Sequence, residues 1–371
     1  MTSKKRILFN LSSIYQSVGG VNRYSQELFK AICSNNIYQV IKFQNNLKKI
    51  KNNSLFNFLR EVPMSYKLKK IYEDFNFRKY LFIEKKFDIY HETNFIFKPF
   101  KNKKILTVHD LSWLTHPQFH PSKRVLYMEK NFEKNLLQAN AVLAVSHYVK
   151  NDLIKNFNFP AENIFVTHLA SSSNFKKNLN DEEINNFLKP LGLKKNNFCL
   201  IISTLEPRKN LVNTIKAYNN LNIDKNSLPL VIVGSLGWNF QEILDQIKNS
   251  KNIIHLMNLS DKELNILLIC HKISIFNSYT EGFGLPIVEA MNFSKPIITT
   301  DNSSMSEIAL NSVIYNDPSD IDGLTKKISE LNKNSDLYDI YSKKAQERGK
   351  LFSWSDCGKK TLEVYKTVLK Y

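Results

Sequence analysis

Arginine is scarce in this 371-residue chain. Only seven of its 52 basic residues are Arg, at positions 6, 23, 60, 78, 124, 208 and 348, and the other 45 are Lys. Arg is the better residue for bidentate reading of phosphates and base edges, so a dedicated nucleic-acid reader would hold more of it. Glycine and proline are also few, at ten and eleven, which excludes a low-complexity or fibrous chain. Four cysteines stand far apart, at 33, 199, 270 and 357, with no CxxC pair. That excludes a cysteine-built metal site and a disulfide framework, and fits free thiols in a reducing compartment. No window offers about 18 uninterrupted apolar residues, so no transmembrane helix is expected. The basic start Lys4-Lys5-Arg6 resembles a secretory signal. Asn10 and Ser12 break the following apolar run, which falls short of the roughly 7–15 residues a signal needs.

Positive charge is abundant: 52 Lys and Arg against 34 Asp and Glu, a formal +18. A charge of this size suggests a polyanionic partner, either nucleic acid or anionic lipid. It is unevenly placed. Residues 1–180 carry 29 basic and 12 acidic residues, whereas 181–371 carry 23 and 22. Plentiful Lys, Asn, Ile and Phe read as coding bias in an AT-rich genome, which accounts for part of the excess. The neutral second half and the shortage of Arg disfavour nucleic acid. The segment Lys48–Lys86 interleaves lysines with Phe56, Phe58, Tyr66, Tyr72, Phe75, Phe77, Tyr80 and Phe82. Two readings stay open for it: a helix lying in an anionic membrane interface, or a surface helix pair with lysine-rich solvent faces.

Short β-branched and aromatic runs alternate with longer segments of helical period. The expected strands of the first half are Arg6–Leu11, Tyr38–Phe43, Phe87–His91, Ile105–His109, Ala141–Val145 and Ile164–Thr167. Those of the second half are Phe198–Ser203, Leu228–Gly234, Ile253–Leu256, Ile273–Phe276 and Pro296–Thr300. Several are apolar throughout, as strands covered on both faces should be. Two such series predict an α/β chain with two doubly wound parallel-sheet domains. The polar stretch Ser171–Asn180 is the natural hinge, and Phe352–Tyr371 reads as a terminal helix or helix pair.

Four segments carry candidate chemistry. The most informative is Ser278-Tyr-Thr-Glu281-Gly-Phe-Gly-Leu-Pro-Ile-Val-Glu289. A strand leads into a glycine loop, and Pro286 suits the first turn of the helix that follows. Backbone N–H groups around Gly282, Phe283, Gly284 and Leu285 then offer an anion site at a helix start. Glu281 and Glu289 flank it, and carboxylates accept from sugar hydroxyls but repel phosphate, so the pattern suits a sugar nucleotide. The bland alternative is a capping Glu281 and a solvent-facing Glu289. Next, Glu206-Pro-Arg208-Lys209 follows a strand's C-terminal end, where two cations could neutralise a leaving diphosphate. An exposed turn pair is the equal alternative. Gly19-Gly20 after the first strand permits positive φ and close ligand approach, or is simply a turn. His109, ending a strand in Val108-His109-Asp110, can donate to a sugar hydroxyl or phosphate, or is a satisfied structural histidine.

Taken with Ala144-Val145-Ser146, Leu230-Val-Ile-Val-Gly234, Asp317-Pro318 and Phe352-Ser353-Trp354, these segments resemble glycosyltransferase family 4. Within it they resemble the enzymes that make O-antigen and capsule mannosides. The resemblance spans nearly the whole chain. It implies the GT-B fold: an acceptor domain over residues 1–175, a nucleotide-sugar domain over 176–352, and a terminal helix, 353–371, crossing back to the first. It implies a retaining hexosyltransferase, most plainly from GDP-mannose to a lipid-linked glycan, with a UDP-sugar as the alternative donor and no metal or cofactor. Glu281 and His109 would serve catalysis at the donor sugar. Arg208 and Lys209 would hold the diphosphate, Glu289 the ribose, and Gly19 and Gly20 the closing loop. Phe283–Leu285 would hold sugar and phosphate, and Gly234 with His255–Leu259 would line the base pocket. The implied location is cytoplasmic, peripheral on the inner face of the membrane. Two departures stand out: Ser203 replaces an Arg usual before the Arg-Lys pair, and Asn277 replaces a Pro before the Ser of the glutamate loop. An epimerase or phosphorylase of the same fold is the competing enzyme class, but no pyridoxal phosphate lysine site is evident.

Overall fold

The computed structural model describes residues 4–11, 19–44, 65–84, 86–176, 178–221 and 228–370. Two six-stranded sheets, parallel throughout, form the frame. The first holds β1 (Arg6–Asn10), β2 (Gln39–Phe43), β3 (Ile89–Glu92), β4 (Lys103–Val108), β5 (Ala141–Ala144) and β6 (Ile164–Val166). The second holds β7 (Cys199–Ile202), β8 (Leu230–Val233), β9 (Ile253–Leu256), β10 (Ile273–Phe276), β11 (Ile297–Thr299) and β12 (Ile314–Tyr315). All eleven expected strands form: β9 and β10 match their expected bounds, β4 begins two residues earlier at Lys103, β3 runs one residue further to Glu92, and the other ends fall within two residues of expectation. The two-residue β12 was not expected, because so short a pairing leaves no apolar run to detect.

The spatial orders are β2-β1-β3-β4-β5-β6 and β12-β11-β10-β7-β8-β9. Chain order therefore reverses between β1 and β3 in the first sheet and between β7 and β10 in the second. Loops leaving the C-terminal ends of strands at such a reversal diverge and open a crevice, the usual ligand position in doubly wound sheets. β3, β5, β8 and β10 are buried at every residue, as central strands covered by helices on both faces require.

The terminal stretch forms one helix, Trp354–Lys370, not a pair. Trp354, Cys357, Leu362, Val364, Tyr365 and Val368 join the core of the first sheet. Gly358 packs against Ala31 of the helix Gly20–Cys33, where an added Cβ would lie 2.9 Å from the Ala31 Cβ. The expected hinge is tied to the first half through that same helix: Ser172 Oγ and Ser173 Oγ donate to the Glu27 carboxylate at 3.0 and 2.7 Å. Of the basic segment 48–86, residues 48–64 lie outside the described residues. Residues 65–84 form one helix.

Candidate active site

The two loops at the second sheet's reversal point meet through ion pairs. After β7 the chain turns through Pro207–Lys209 and enters the helix Leu211–Asn219. Asn210 sits at the junction with φ 54°, a left-handed conformation that Asn tolerates better than most residues. After β10 the chain passes through Asn277–Gly284 into the helix Leu285–Asn292. Gly284 takes φ +84° at the N-cap and Pro286 occupies the first turn. Between the loops, Glu281 is clamped. Lys209 Nζ donates to its Oε1 at 2.5 Å, Arg208 Nη1 donates to its Oε2 at 3.0 Å, and Ser278 Oγ donates to Oε1 at 2.9 Å. Burial would raise the Glu281 carboxyl, but the Lys209 and Arg208 cations overcome this and hold it at about 2. The group is therefore an anion at any physiological pH.

Arg208 differs from its expected role. It is buried, with Nε and Nη2 on Glu206 Oε1 at 3.2 and 2.8 Å and Nη1 also on the Thr280 carbonyl at 2.6 Å. Burial opposes its charge, but Glu281, Glu206 and Asp110 together raise its pKa above the ordinary value. A guanidinium engaged at Nε, Nη1 and Nη2 orients its carboxylates and has little left for a diphosphate. Among the described residues Lys209 makes one ion pair, to Glu281, so its compact ammonium is freer than the Arg208 guanidinium to turn towards a ligand.

Glu289 is fully buried, not solvent-facing. Its Oε1 pairs with Arg23 from the first-half helix Gly20–Cys33, and its Oε2 has no hydrogen-bond partner among the described residues. Burial, partly offset by Arg23, raises the carboxyl above the usual range. A buried polar atom without a partner calls for one, and a ligand hydroxyl would satisfy it.

Gly19 and Gly20 behave differently from expectation. Gly19 is the extended N-cap of its helix, at φ −123°, and Gly20 is the first helical residue, so neither uses positive φ. Instead, a Cβ on Gly20 would meet no atom of the described residues within 4 Å. Gly234 serves strand packing at the end of β8, since a Cβ there would lie 1.8 Å from the Ser203 carbonyl oxygen. His255 Nε2 donates to the Gly234 carbonyl at 2.9 Å, which ties the ends of β8 and β9 together.

The halves touch directly at Gly282. An added Cβ would stand 1.6 Å from the His109 carbonyl oxygen. Ser146 caps the helix His147–Phe157 by accepting from Val149 N–H, and its Oγ donates to the Gly282 carbonyl at 2.7 Å. Phe283 and Leu285 are buried in the first sheet's core cluster, each contributing about 2–3 kcal/mol of apolar burial to the contact. His109 Nε2 lies 2.8 Å from the Thr93 carbonyl, which can only accept, so Nε2 carries the proton. Burial lowers the ring's pKa and the Thr93 bond only partly restores it. The neutral ring therefore offers Nδ1 as an acceptor, the reverse of the donor expected from sequence.

Three contributors had no assigned role in the sequence reading. Arg23 partners Glu289, as above. Asp110, next to His109, faces Arg208: burial would raise it, but Arg208 and two hydrogen bonds from Ser112 lower it to about 2. Glu307, on the helix Ser304–Ala309 of the second half, accepts from the His147 and Tyr148 backbone N–H groups at 2.9 Å each and lies 2.7 Å from His168 Nε2. It caps a first-half helix from across the seam. His147, His168 and Glu307 have ligand atoms within 4.8 Å of one another and are, among the described residues, the one grouping of metal-ligand chemistry. Glu307's oxygens are already engaged, and the group stands at the domain seam, with the His168 ring 6.1 Å from that of Phe283.

Two Rossmann-type sheets, joined where the loop after β10 meets the ends of β4 and β5, form a GT-B architecture. A model of the group 1 glycosyl transferases matches residues 183–348, and one of Glycosyltransferase Family 4 matches residues 18–170. The chain belongs to the glycosyltransferases that join these two domains, and it is a hexosyltransferase. It is 28% identical over 382 residues to O-antigen chain mannosyltransferase B of Escherichia coli, covering 97% of this chain and 99% of the relative. It is 26% identical over 255 residues to O-antigen chain mannosyltransferase RfbU of Salmonella typhimurium, covering 65% and 67%. In fold it is similar to a glycosyltransferase from Rickettsia africae, with TM-score 0.69, 20% identity and 99% of each chain covered. It is likewise similar to WaaG, a glycosyltransferase involved in lipopolysaccharide biosynthesis, with TM-score 0.70, 12% identity and 97% and 98% covered. No helix among the described residues is long and apolar enough to cross a membrane.

Proposed function

We propose that the protein is a retaining mannosyltransferase that moves mannose from GDP-mannose onto a lipid-linked glycan during O-antigen synthesis. It would work at the cytoplasmic face of the membrane and without a metal ion. The observation that carries this reading is the clamp on Glu281, set by loops on both sides of the second sheet's reversal point. The names of the similar mannosyltransferases support the sugar and the glycan.

In this reading Glu281 accepts hydroxyl protons of the donor sugar, and Glu289 Oε2 accepts a ribose hydroxyl. Lys209 and the N–H groups at Phe283, Gly284 and Leu285 meet the diphosphate, and Gly20 gives the phosphates room at the first helix start. Gly234 and His255–Leu259 border the base. His109 accepts from the sugar through Nδ1. Arg208 is a positioning residue that holds Glu281. The bond from C1 to the diphosphate oxygen breaks as the acceptor hydroxyl attacks C1 on the same face, and its proton passes to the departing phosphate.

Lys209→Ala is expected to weaken GDP binding by about 10–100-fold, the range for a lost charged hydrogen bond. Titration calorimetry with GDP measures this directly. Wild-type affinity in the variant would remove Lys209 from the diphosphate site.

A further inference from the structure

The helix Ser65–Glu84 is apolar on two opposite faces. Inward, Phe77 is fully buried and Tyr80 and Leu81 pack on the core, with Phe77 in edge contact with Phe43 of β2. Outward stand Ile71 at 64% exposure, Tyr72 at 40%, Phe75 at 64%, Phe82 at 80% and Ile83 at 64%. Arg78 and Lys79 are exposed between them. At about 100° per residue these seven positions fall within an arc of roughly 140°. Five large apolar side chains on one exposed arc form a contiguous patch, which marks an interaction surface more than scattered exposure does.

The charges are sorted as strictly as the apolar groups. No acidic residue lies on the outward arc. Glu73 reaches Lys98 at 3.2 Å and Glu84 reaches Arg6 at 3.3 Å, so both are neutralised on the protein side. Lys98 belongs to the loop leaving the C-terminal end of β3, and Arg6 begins β1. The middle of the helix therefore lies beside the loop after β3, and its end lies beside the N-terminal end of β1. The surface-helix reading of this segment expected a lysine-rich solvent face; among the described side chains of the helix the outward face is aromatic and aliphatic with two cations, Arg78 and Lys79.

We infer that this outward face is a docking surface for an anionic lipid bilayer. Ile71, Tyr72, Phe75, Phe82 and Ile83 enter the headgroup boundary, and Arg78 and Lys79 meet lipid phosphates. An aromatic and aliphatic face bearing cations and no acid matches an interfacial helix, and basic residues beside it gain from the negative surface potential. The helix spans about 30 Å, so docking along its length lays the first-sheet half against the lipid surface. The inference rests on the lipid-linked acceptor proposed above.

The test uses the full chain and two kinds of vesicle, phosphatidylcholine alone and phosphatidylcholine with phosphatidylglycerol, in a sedimentation assay. Wild type is expected to sediment with the anionic vesicles and to be released by salt. The triple variant Phe75→Ser, Phe82→Ser, Ile83→Ser is expected to bind them at least about tenfold more weakly, since each lost apolar group reduces interfacial burial. Arg78→Gln with Lys79→Gln is expected to lose the preference for anionic over neutral vesicles. GDP binding in lipid-free buffer reports separately on the nucleotide site and on folding, so loss of either property is distinguishable from loss of the other. Wild type that ignores anionic vesicles would overturn the inference, as would a triple variant that binds like wild type. A wild-type dimer that the triple variant converts to monomer would also overturn it, because a second copy would then cover the face.

Discussion

Glu281→Gln is expected to lower turnover by about 10²–10³-fold, the loss typical of removing one preorganised polar contact to the transition state. Gln keeps the shape of the side chain and removes its charge. The reacting sugar loses a strong acceptor, while Lys209 loses its ion-pair partner and is freed towards the diphosphate. GDP affinity should therefore stay level or rise, and steady-state kinetics beside GDP calorimetry separates the two effects. Unchanged turnover would remove Glu281 from the reaction.

The same substitution has a signature in stability. Two cations converge on Glu281, and removing their shared partner, with Arg208 still paired to Glu206, should destabilise the fold by about 3 kcal/mol at neutral pH. The Glu281 carboxyl stands at about 2 when folded, against an ordinary value of 4.5. A lowered folded pKa means its stabilisation is complete above the unfolded value and is lost as pH falls through the folded one. The gap between wild type and Glu281→Gln should accordingly narrow between about pH 4.5 and pH 2 in urea unfolding. A gap independent of pH would show that the ion pairs do not stabilise the fold.

Gly282→Ala should be nearly as damaging by a different route. The residue has no need of positive φ; what it needs is room, because a methyl group would overlap the His109 carbonyl oxygen at 1.6 Å. The two halves would have to part at the point where Ser146 and Phe283 also join them. A displacement of about 1 Å at reacting groups can reduce turnover about 100-fold. The expected result is that loss in turnover, with GDP affinity largely held because the proposed nucleotide contacts, Gly20 apart, lie on the second half, and a larger radius of gyration by solution scattering. Wild-type turnover would mean that the seam does not have to close this tightly for reaction.

Much of the fold was legible because buried parallel strands are short, apolar runs, and those survive as a pattern whatever their ends do. The site was legible in part. The glutamate loop and Arg208-Lys209 were found because each follows a strand end and concentrates charge or glycine. Their division of labour was not found, since Arg208's engagement with Glu206 and the Thr280 carbonyl depends on packing that no spacing encodes. Arg23, Asp110 and Glu307 were missed for a related reason: each acts across the seam, on a partner more than 90 residues away in the chain.

One signal could have pointed to some of them. In a chain that uses Lys almost everywhere, the few Arg residues are conspicuous. Arg23 pairs with Glu289, Arg124 lies over Trp238, Arg208 holds Glu281, and Arg348 donates to the carbonyls of Glu307 and Ile308. Scarce glycine carries the same information, since Gly234 and Gly282 stand where no side chain fits. Coding bias supplies lysine freely, so the residues that resist the bias mark where geometry is strict.

The most direct test of the central claim is the anomeric configuration of the product formed from GDP-α-mannose and a lipid-linked glycan acceptor, read by nuclear magnetic resonance at the new C1 linkage. The account predicts transfer in chelator-treated buffer and an α-linked mannose. A β-linked product, or no transfer from GDP-mannose, would contradict it.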